Sequence, residues 1–222
     1  MARRKDHTHE ELKQLALDAA IHHLREDSAQ SLSLRKIAQA VGYSPGTLIN
    51  IFGSYDHLLL SVNAITLDQL ANRLKQTTGE DQLSPMNQLQ TFARHYLEFC
   101  QQHPYQWQLL FEHQLPGGET IPQWQQQRID RLFAILEQAL TILAPAAGAQ
   151  ALHEASRTIW ASVHGICTLS IEDKLFADSS LDGHKMAQSL INHYVGSWLQ
   201  TSTTETTSAE RHIEKGNVNE HS

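Results

Sequence analysis

The fold is decided by residues 33–52, SLRKIAQAVGYSPGTLINIF, in which two short helical patterns stand either side of a glycine. Ser33 is placed to cap the first, whose inward positions are Leu34, Ile37, Ala38 and Val41. Ala38 is small, as a position crossed closely by a second helix must be. Four residues on, Gly42 supplies the positive φ that a tight helix–helix turn requires. Ser44 and Pro45 restart the helix: a capping hydroxyl, then a ring whose fixed φ suits the first helical position. Leu48, Ile51 and Phe52 return to the interior and leave Gly46, Thr47, Ile49 and Asn50 facing outward. Cap, small residue, glycine, cap, proline and apolar return fall in one register. That is the pattern of a helix-turn-helix, whose second helix enters a major groove with its N-terminal residues toward base edges.

Outward from this stretch the helical period continues. Residues 10–26 repeat Leu12, Leu15, Ala16, Ala19, Ala20 and Leu24 at three- and four-residue spacing. A longer helix starts near Tyr55, carries Leu58, Leu59, Val62, Ile65, Leu67 and Leu70, and ends near Thr78 and Gly79. Further helices are expected near 85–102, 105–114, 121–143, 148–175 and 184–201. Pro85 and Pro104 stand at first turns, where a missing N–H costs nothing. Pro-Gly-Gly at 116–118 and Ala-Pro-Ala-Ala-Gly at 144–148 are breaks. No stretch shows strand alternation and there are no internal repeats. The expected fold is all-α, about nine helices: a three-helix DNA-binding domain over 1–54 and a helical ligand-binding and dimerisation domain over 55–201. The Thr/Ser/Glu-rich tail, 202–222, is expected to lack fixed structure.

Composition sets the outer limits. A chain of 222 residues, 41% hydrophobic, can bury a real core, and no apolar run approaches the roughly 18 residues of a membrane span. Two cysteines, Cys100 and Cys167, are too few for a disulfide framework, and the basic start at Arg3, Arg4 and Lys5 leads into a polar helix rather than a secretory signal. A cytoplasmic protein that makes no membrane contact is therefore expected. The net charge of −7 argues at first against a nucleic-acid partner, but residues 1–60 hold seven Lys/Arg and seven Asp/Glu, so the whole acidic excess lies beyond them. Affinity for DNA depends on where cations are presented locally. No nucleophile elbow, phosphate loop or dinucleotide fingerprint appears, so no catalytic residue and no cofactor is expected. The 14 histidines form no paired metal-ligand spacing with the cysteines, and no metal is expected either.

Residues 10–60 resemble the DNA-binding domain of TetR-family transcriptional regulators: one long helix, the helix-turn-helix, then Phe52 followed by Leu58 and Leu59 entering a connecting helix. The chain departs from the family at Ile49, often tyrosine there, at Ile51, often tyrosine or histidine, and at Tyr55, often lysine. Within this motif Thr47 and Asn50 are the candidates for base or sugar contact. Ser33, Arg35, Ser44 and Tyr55 are candidates for phosphate, with Pro45 and Gly46 at the approaching helix end. Ile49 offers apolar contact to a thymine methyl or sugar. Arg3, Arg4 and Lys5 form a basic arm suited to a minor groove.

The remainder reads as a sensing body. Candidate ligand contacts are Phe92, Tyr96 and Phe99, one stripe of a helix, then Trp107, Phe111, Trp124, Trp160, His164 and Cys167, with Phe133 nearby in type. Leu109–Pro116 and Trp160-x-x-x-His164-Gly165 resemble a TetR-regulator subgroup with a Trp…His-Gly signature. Gly165 is expected to admit close approach of another backbone. The resemblance also implies a homodimer formed by the final helix pair, through Ile159, Val163, Ile166, Leu190, Ile191, Tyr194, Val195 and Trp198. Together these point to a repressor bound to a pseudo-palindromic operator in double-stranded DNA and released by an unidentified small-molecule effector. The alternative is a small-molecule-binding helical protein whose DNA head is degenerate, suggested by Ile49 and Ile51. A helical enzyme depending on His164 or Cys167 stands third.

Overall fold

The structure is a computed structural model that describes residues 7–75, 84–172 and 182–217, the stretch beyond Gln200 as backbone alone. Among the described residues it is all-α: α1 His9–Glu26, α2 Leu34–Val41, α3 Pro45–Phe52, α4 Tyr55–Lys75, α5 Pro85–Gln102, α6 Pro104–Glu112, α7 Gln123–Leu143, α8 Ala149–Glu172 and α9 Gly183–Asn217, with a single 3₁₀ turn at Pro116–Gly118. None of these helices is long and apolar enough to cross a membrane. The chain divides into two compact units. One comprises Met1–Leu70 with Gln102–Ile129, the other Ala71–Gln101 with Asp130–Ser222. The first unit thus takes in the head expected over 1–54 and adds most of α4, the whole of α6 and the start of α7.

In the first unit each helix end has a local cause. Thr8 caps α1 through a reciprocal box: its hydroxyl accepts from the Glu11 N–H at 3.2 Å, and the Glu11 carboxylate accepts from the Thr8 N–H at 2.7 Å. These bonds, the backbone one first, hold the Glu11 carboxyl below its ordinary range. Ser33 caps α2, accepting from the Lys36 N–H at 3.3 Å. Gly42 ends it in the left-handed region, φ 76 and ψ 25. The Tyr43 N–H then reaches the Ala38 carbonyl at 2.9 Å and the Gly42 N–H the Gln39 carbonyl at 3.2 Å, the paired bonds of a Schellman turn. Ser44 accepts from the Thr47 N–H at 3.2 Å and Pro45 opens α3. Gly53, φ 82, closes α3, and Ser54 starts α4 by accepting from the His57 N–H at 3.1 Å.

These ends let α1, α2 and α3 close on one core. Leu12, Ala16, Ala20 and Leu24 of α1 meet Ile37 and Ala38 of α2, Leu48 of α3, Leu58 and Val62 of α4, and Leu109 of α6, all buried. Leu34, Val41, Ile51 and Phe52 pack half-buried against the same cluster, the inward set the pattern assigned. In the second unit α5 buries Phe92, Tyr96, Leu97 and Cys100, α7 buries Leu132, Leu136 and Leu140, α8 buries Ala155, Ile159, Val163 and Cys167, and α9 buries Ala187, Ile191 and Val195.

Two expectations are corrected. A Cβ added at Gly165 would meet nothing within 4 Å, so no backbone crosses there. The close approach is at Gly183, where a Cβ would lie 2.6 Å from the Ser170 hydroxyl and 3.0 Å from a Leu97 methyl, and the start of α9 seats on α8 and α5 because that side chain is absent. The last helix does not stop near 201 but runs to Asn217, through most of the tail expected to lack structure. Extending an existing helix fixes one residue per hydrogen bond gained, so a Thr/Ser-rich stretch with no proline carries it on until Gly216 and Asn217. Residues 218–222 lie outside the described ones.

Because Gly42 has open space around it, its cost on substitution is backbone strain alone. Gly42→Ala is expected to destabilise the protein by about 1–2 kcal/mol, read as a lowered urea midpoint at unchanged m-value.

Candidate nucleic-acid interface

The outward face of α3 is built by its own first turn. The Ser44 hydroxyl is shared between the Thr47 N–H and the Thr47 hydroxyl, which lies 2.9 Å away, so the cap also fixes the Thr47 rotamer. Asn50 is exposed one turn on, Thr47 and Ile49 are half-buried, and Pro45 and Gly46 are exposed. Leu48 between them is fully buried and anchors the helix. At the start of α2, Ser33 is half-buried with its hydroxyl on the Lys36 N–H, while Arg35 and Lys36 are exposed. A short helix thus presents its N-terminal turn and Asn50 to solvent beside two cations. Arg3, Arg4 and Lys5 lie outside the described residues.

Tyr55 departs from its expected role. Its hydroxyl is buried and has no hydrogen-bond partner, its ring packs on the core of the first unit, and burial followed by the neighbouring Asp56 charge pushes the phenol above its ordinary value. A hydroxyl turned inward cannot reach a phosphate. The surface polar groups at this helix start are instead Ser54 and His57, whose Nδ1 is 2.8 Å from the Ser54 hydroxyl and whose Nε2 is 3.2 Å from Glu119. His113, beyond α6, lies 3.5 Å from Asp56, and Arg128 of α7 pairs with Asp68 of α4 at 3.0 Å. Sequence reading missed these three anchors. Their partners stand some sixty residues apart, and no local pattern links them.

The expected ligand residues fall into two groups. In the second unit, Phe92 and Tyr96 stack at 6.0 Å between ring centres, and Trp160 lies 4.9 Å from Tyr96, 6.1 Å from Phe92 and 5.0 Å from Phe133. Arg157 closes one end, its guanidinium 4.1 Å over the Phe133 ring and 2.6 Å from Glu137. His164 stands at the other end, Nδ1 3.3 Å from the Tyr96 hydroxyl. Cys167 and Phe99 are buried in the same unit. Trp107, Phe111 and Trp124 belong to the first unit. Trp107 is buried beside Phe111, ring centres 4.6 Å apart, whereas Phe111 at 41% and Trp124 at 40% exposure are surface residues, Trp124 lying under Arg128. A groove of about 270 Å³ on α5 and α9, lined by Gln90, Arg94 and Lys185, contains none of the expected ligand residues.

Of the residues expected at a dimer interface, Ile159, Val163, Ile166, Ile191 and Val195 are buried within the single chain and have almost no area left for a partner. Hydrophobic periodicity marks a buried stripe without saying which neighbour covers it. Leu190, Tyr194 and Trp198 are half-buried. Among the described residues no group of three or more His, Cys, Asp or Glu is placed to hold a metal ion.

Comparison with known proteins follows the same outline. Residues 89–194 match the family described as tetracyclin repressor-like, C-terminal domain. That segment belongs to the domain family, and the match bears on no finer subgroup. The fold resembles a protein with unknown function from Rhodococcus sp. RHA1 (TM-score 0.70, 18% identity, 88% of this chain and 98% of that one). It also resembles a TetR-family transcriptional regulator from Streptomyces coelicolor (TM-score 0.61, 18% identity, 84% and 98%). A third likeness is to the TetR family transcriptional regulator PfmR from Thermus thermophilus (TM-score 0.54, 16% identity, 81% and 96%). No curated protein matches by sequence. At these identities the likenesses establish the fold, which is the all-α fold of TetR-family regulators.

Two solution properties follow from the second unit. Burial lowers the pKa of His164, so between that value and about 6.5 the unfolded chain takes up a proton that the folded one refuses. Stability therefore rises with pH across this window, and His164→Gln is expected to flatten the dependence of Tm on pH between 5 and 7. The Cys167 thiol is pushed far above its ordinary value, first by a hydrogen bond with Cys100 and then by burial, and Cys100 is buried as well. Thiolate is the reactive form. An aromatic disulfide reagent is expected to label neither cysteine in the native protein and both in denaturant.

Proposed function

We propose that the chain is a ligand-responsive, DNA-binding transcriptional regulator, a homodimeric repressor that grips a pseudo-palindromic operator and lets go when a small molecule occupies its helical body. The observation that carries this reading is the α2–Gly42–α3 unit, with the Thr47 and Asn50 side of α3 facing solvent and Leu48 holding it from behind. A helix of eight residues, capped by Ser44 and offered end-on, has the dimensions and orientation for a major groove. Arg35 and Lys36 at the start of α2 are suited to the flanking phosphates, and the local balance of charge over 1–60 lets them act despite the net charge of −7. The tetracyclin repressor-like C-terminal match supports the sensing half. Leu190, Tyr194 and Trp198 on α9 supply the apolar area for a twin, and a two-fold dimer would set its heads at half-sites about one helical turn apart or a multiple of it. A cytoplasmic, non-enzymatic role goes with this reading.

Selection of bound duplexes from random DNA, followed by gel shift over a salt series, tests the proposal. The expected outcome is a two-fold symmetric site and an affinity that falls steeply as salt rises. The double variant Thr47→Ala/Asn50→Ala should lose about tenfold or more in affinity, each good base contact being worth ~1–3 kcal/mol, with its unfolding midpoint unchanged. A wild-type protein that selects no sequence would sink the reading.

A further inference from the structure

Of the buried side-chain polar atoms that lack a hydrogen-bond partner among the described residues, most belong to three helices of the first unit: Tyr55, Asn63 and Gln69 of α4, Gln106 and His113 of and just beyond α6, and Gln125 of α7. Three of these are neutral amides with almost no exposure, Asn63 at 2%, Gln106 at 2% and Gln125 at 3%, and each leaves its carbonyl oxygen unbonded.

The charged anchors set their register. His113 meets Asp56, so counting back seven residues from His113 gives Gln106, and counting forward seven from Asp56 gives Asn63. Residues seven apart share a helix face. On antiparallel α6 and α4 the two amides therefore stand on the stripe that the His113–Asp56 pair begins, at the same height. Arg128 pairs with Asp68, and Gln125 lies one turn earlier on the same face of α7, which brings it back along α4 toward the level of Asn63. Three amides from three helices thus come to one level of this unit.

We infer that the level of Asn63, Gln106 and Gln125 is a binding site for a small uncharged molecule carrying its own hydroxyl or amide groups. The inference deepens the regulator reading by naming the chemistry of its effector. An amide offers both an acceptor and a donor, so it is matched by a ligand with both. Charge is disfavoured because the neighbouring carboxylates, Asp56 and Asp68, are already paired with His113 and Arg128, which leaves no counter-charge for a buried ion. Apolar side chains of similar shape would stabilise this interior better than amides with open valences. Their retention points to something they hold.

The test uses the full-length protein, ¹⁵N-labelled, with glycerol, acetamide and N-methylurea as uncharged probes and acetate and methylammonium as charged ones. The side-chain NH₂ resonances of Asn63, Gln106 and Gln125 are expected to move together with an uncharged probe, and Tm to rise by about 2 °C or more at saturation. Both responses should vanish in Gln106→Met, whose Tm without probe equals or exceeds that of the wild type; Gln125→Met serves as the second variant. Resonances unmoved by every uncharged probe, a response to charged probes alone, or a fall in Tm for both variants without probe would overturn the site. Gel shifts without probe report separately on DNA binding, so a regulator lacking this site is distinguishable from a chain that binds no DNA.

Discussion

The head depends on the chain reversing between Val41 and Ser44 within a few ångströms. An L-residue held at φ 76 brings its Cβ toward its own carbonyl, and glycine has no Cβ to bring. Once Gly42 takes that conformation, the Tyr43 N–H falls on the Ala38 carbonyl, the end of α2 is satisfied, and Ser44 is delivered where its hydroxyl can start α3. Leu48 then lands on Ile37, Ala38 and the α1 leucines with no exposed surface. The angle between the two short helices is a product of these local bonds and one buried leucine. It does not require long elements or many contacts, which is why so small a unit can hold Thr47 and Asn50 rigidly at the surface.

Such local determinants are what a single sequence displays well. Prolines 45, 85 and 104 mark helix starts, and α2 and α5 fall on the expected residues because a capping serine stands before each: Ser33 accepts from Lys36, and Ser84 from Asn87. The capping box at Thr8 and Glu11 was equally legible by spacing. Endings without a punctuating residue were harder. The last helix crosses Thr201–Ser208 on propagation alone, which composition argues against and cooperativity permits. Close packing was misassigned for a related reason. Gly165 and Gly183 look alike as letters, and only the path of α9 decides which of them has a neighbour where its side chain would be.

The candidate site divides along the same line. That Thr47 and Asn50 face outward follows from helical period once Leu48 is inward. That the Tyr55 hydroxyl turns inward does not, since the first residue of α4 lies at a corner whose orientation is set by α1 and α6 together. Aromatic spacing likewise identified Phe92, Tyr96 and Trp160 as one cluster without distinguishing a lining from a core.

The rings of the second unit settle into mutual contact, with Arg157 and His164 satisfied at the two ends, and such packing leaves little that a ligand could improve. The first unit is the reverse: its apolar core is complete, yet along α4, α6 and α7 it keeps amides whose oxygens are neither solvated nor bonded. Aromatic residues draw the eye in a search for a small-molecule site because they signal apolar affinity. Here they are occupied with one another, and the unmet hydrogen-bonding capacity lies on the helices that follow directly from the DNA-facing head. A ligand that supplied those bonds would act on α4 within a few turns of Gly53, where α3 ends, so a change in the position of α4 there would be felt at the recognition helix without passing through the aromatic cluster at all.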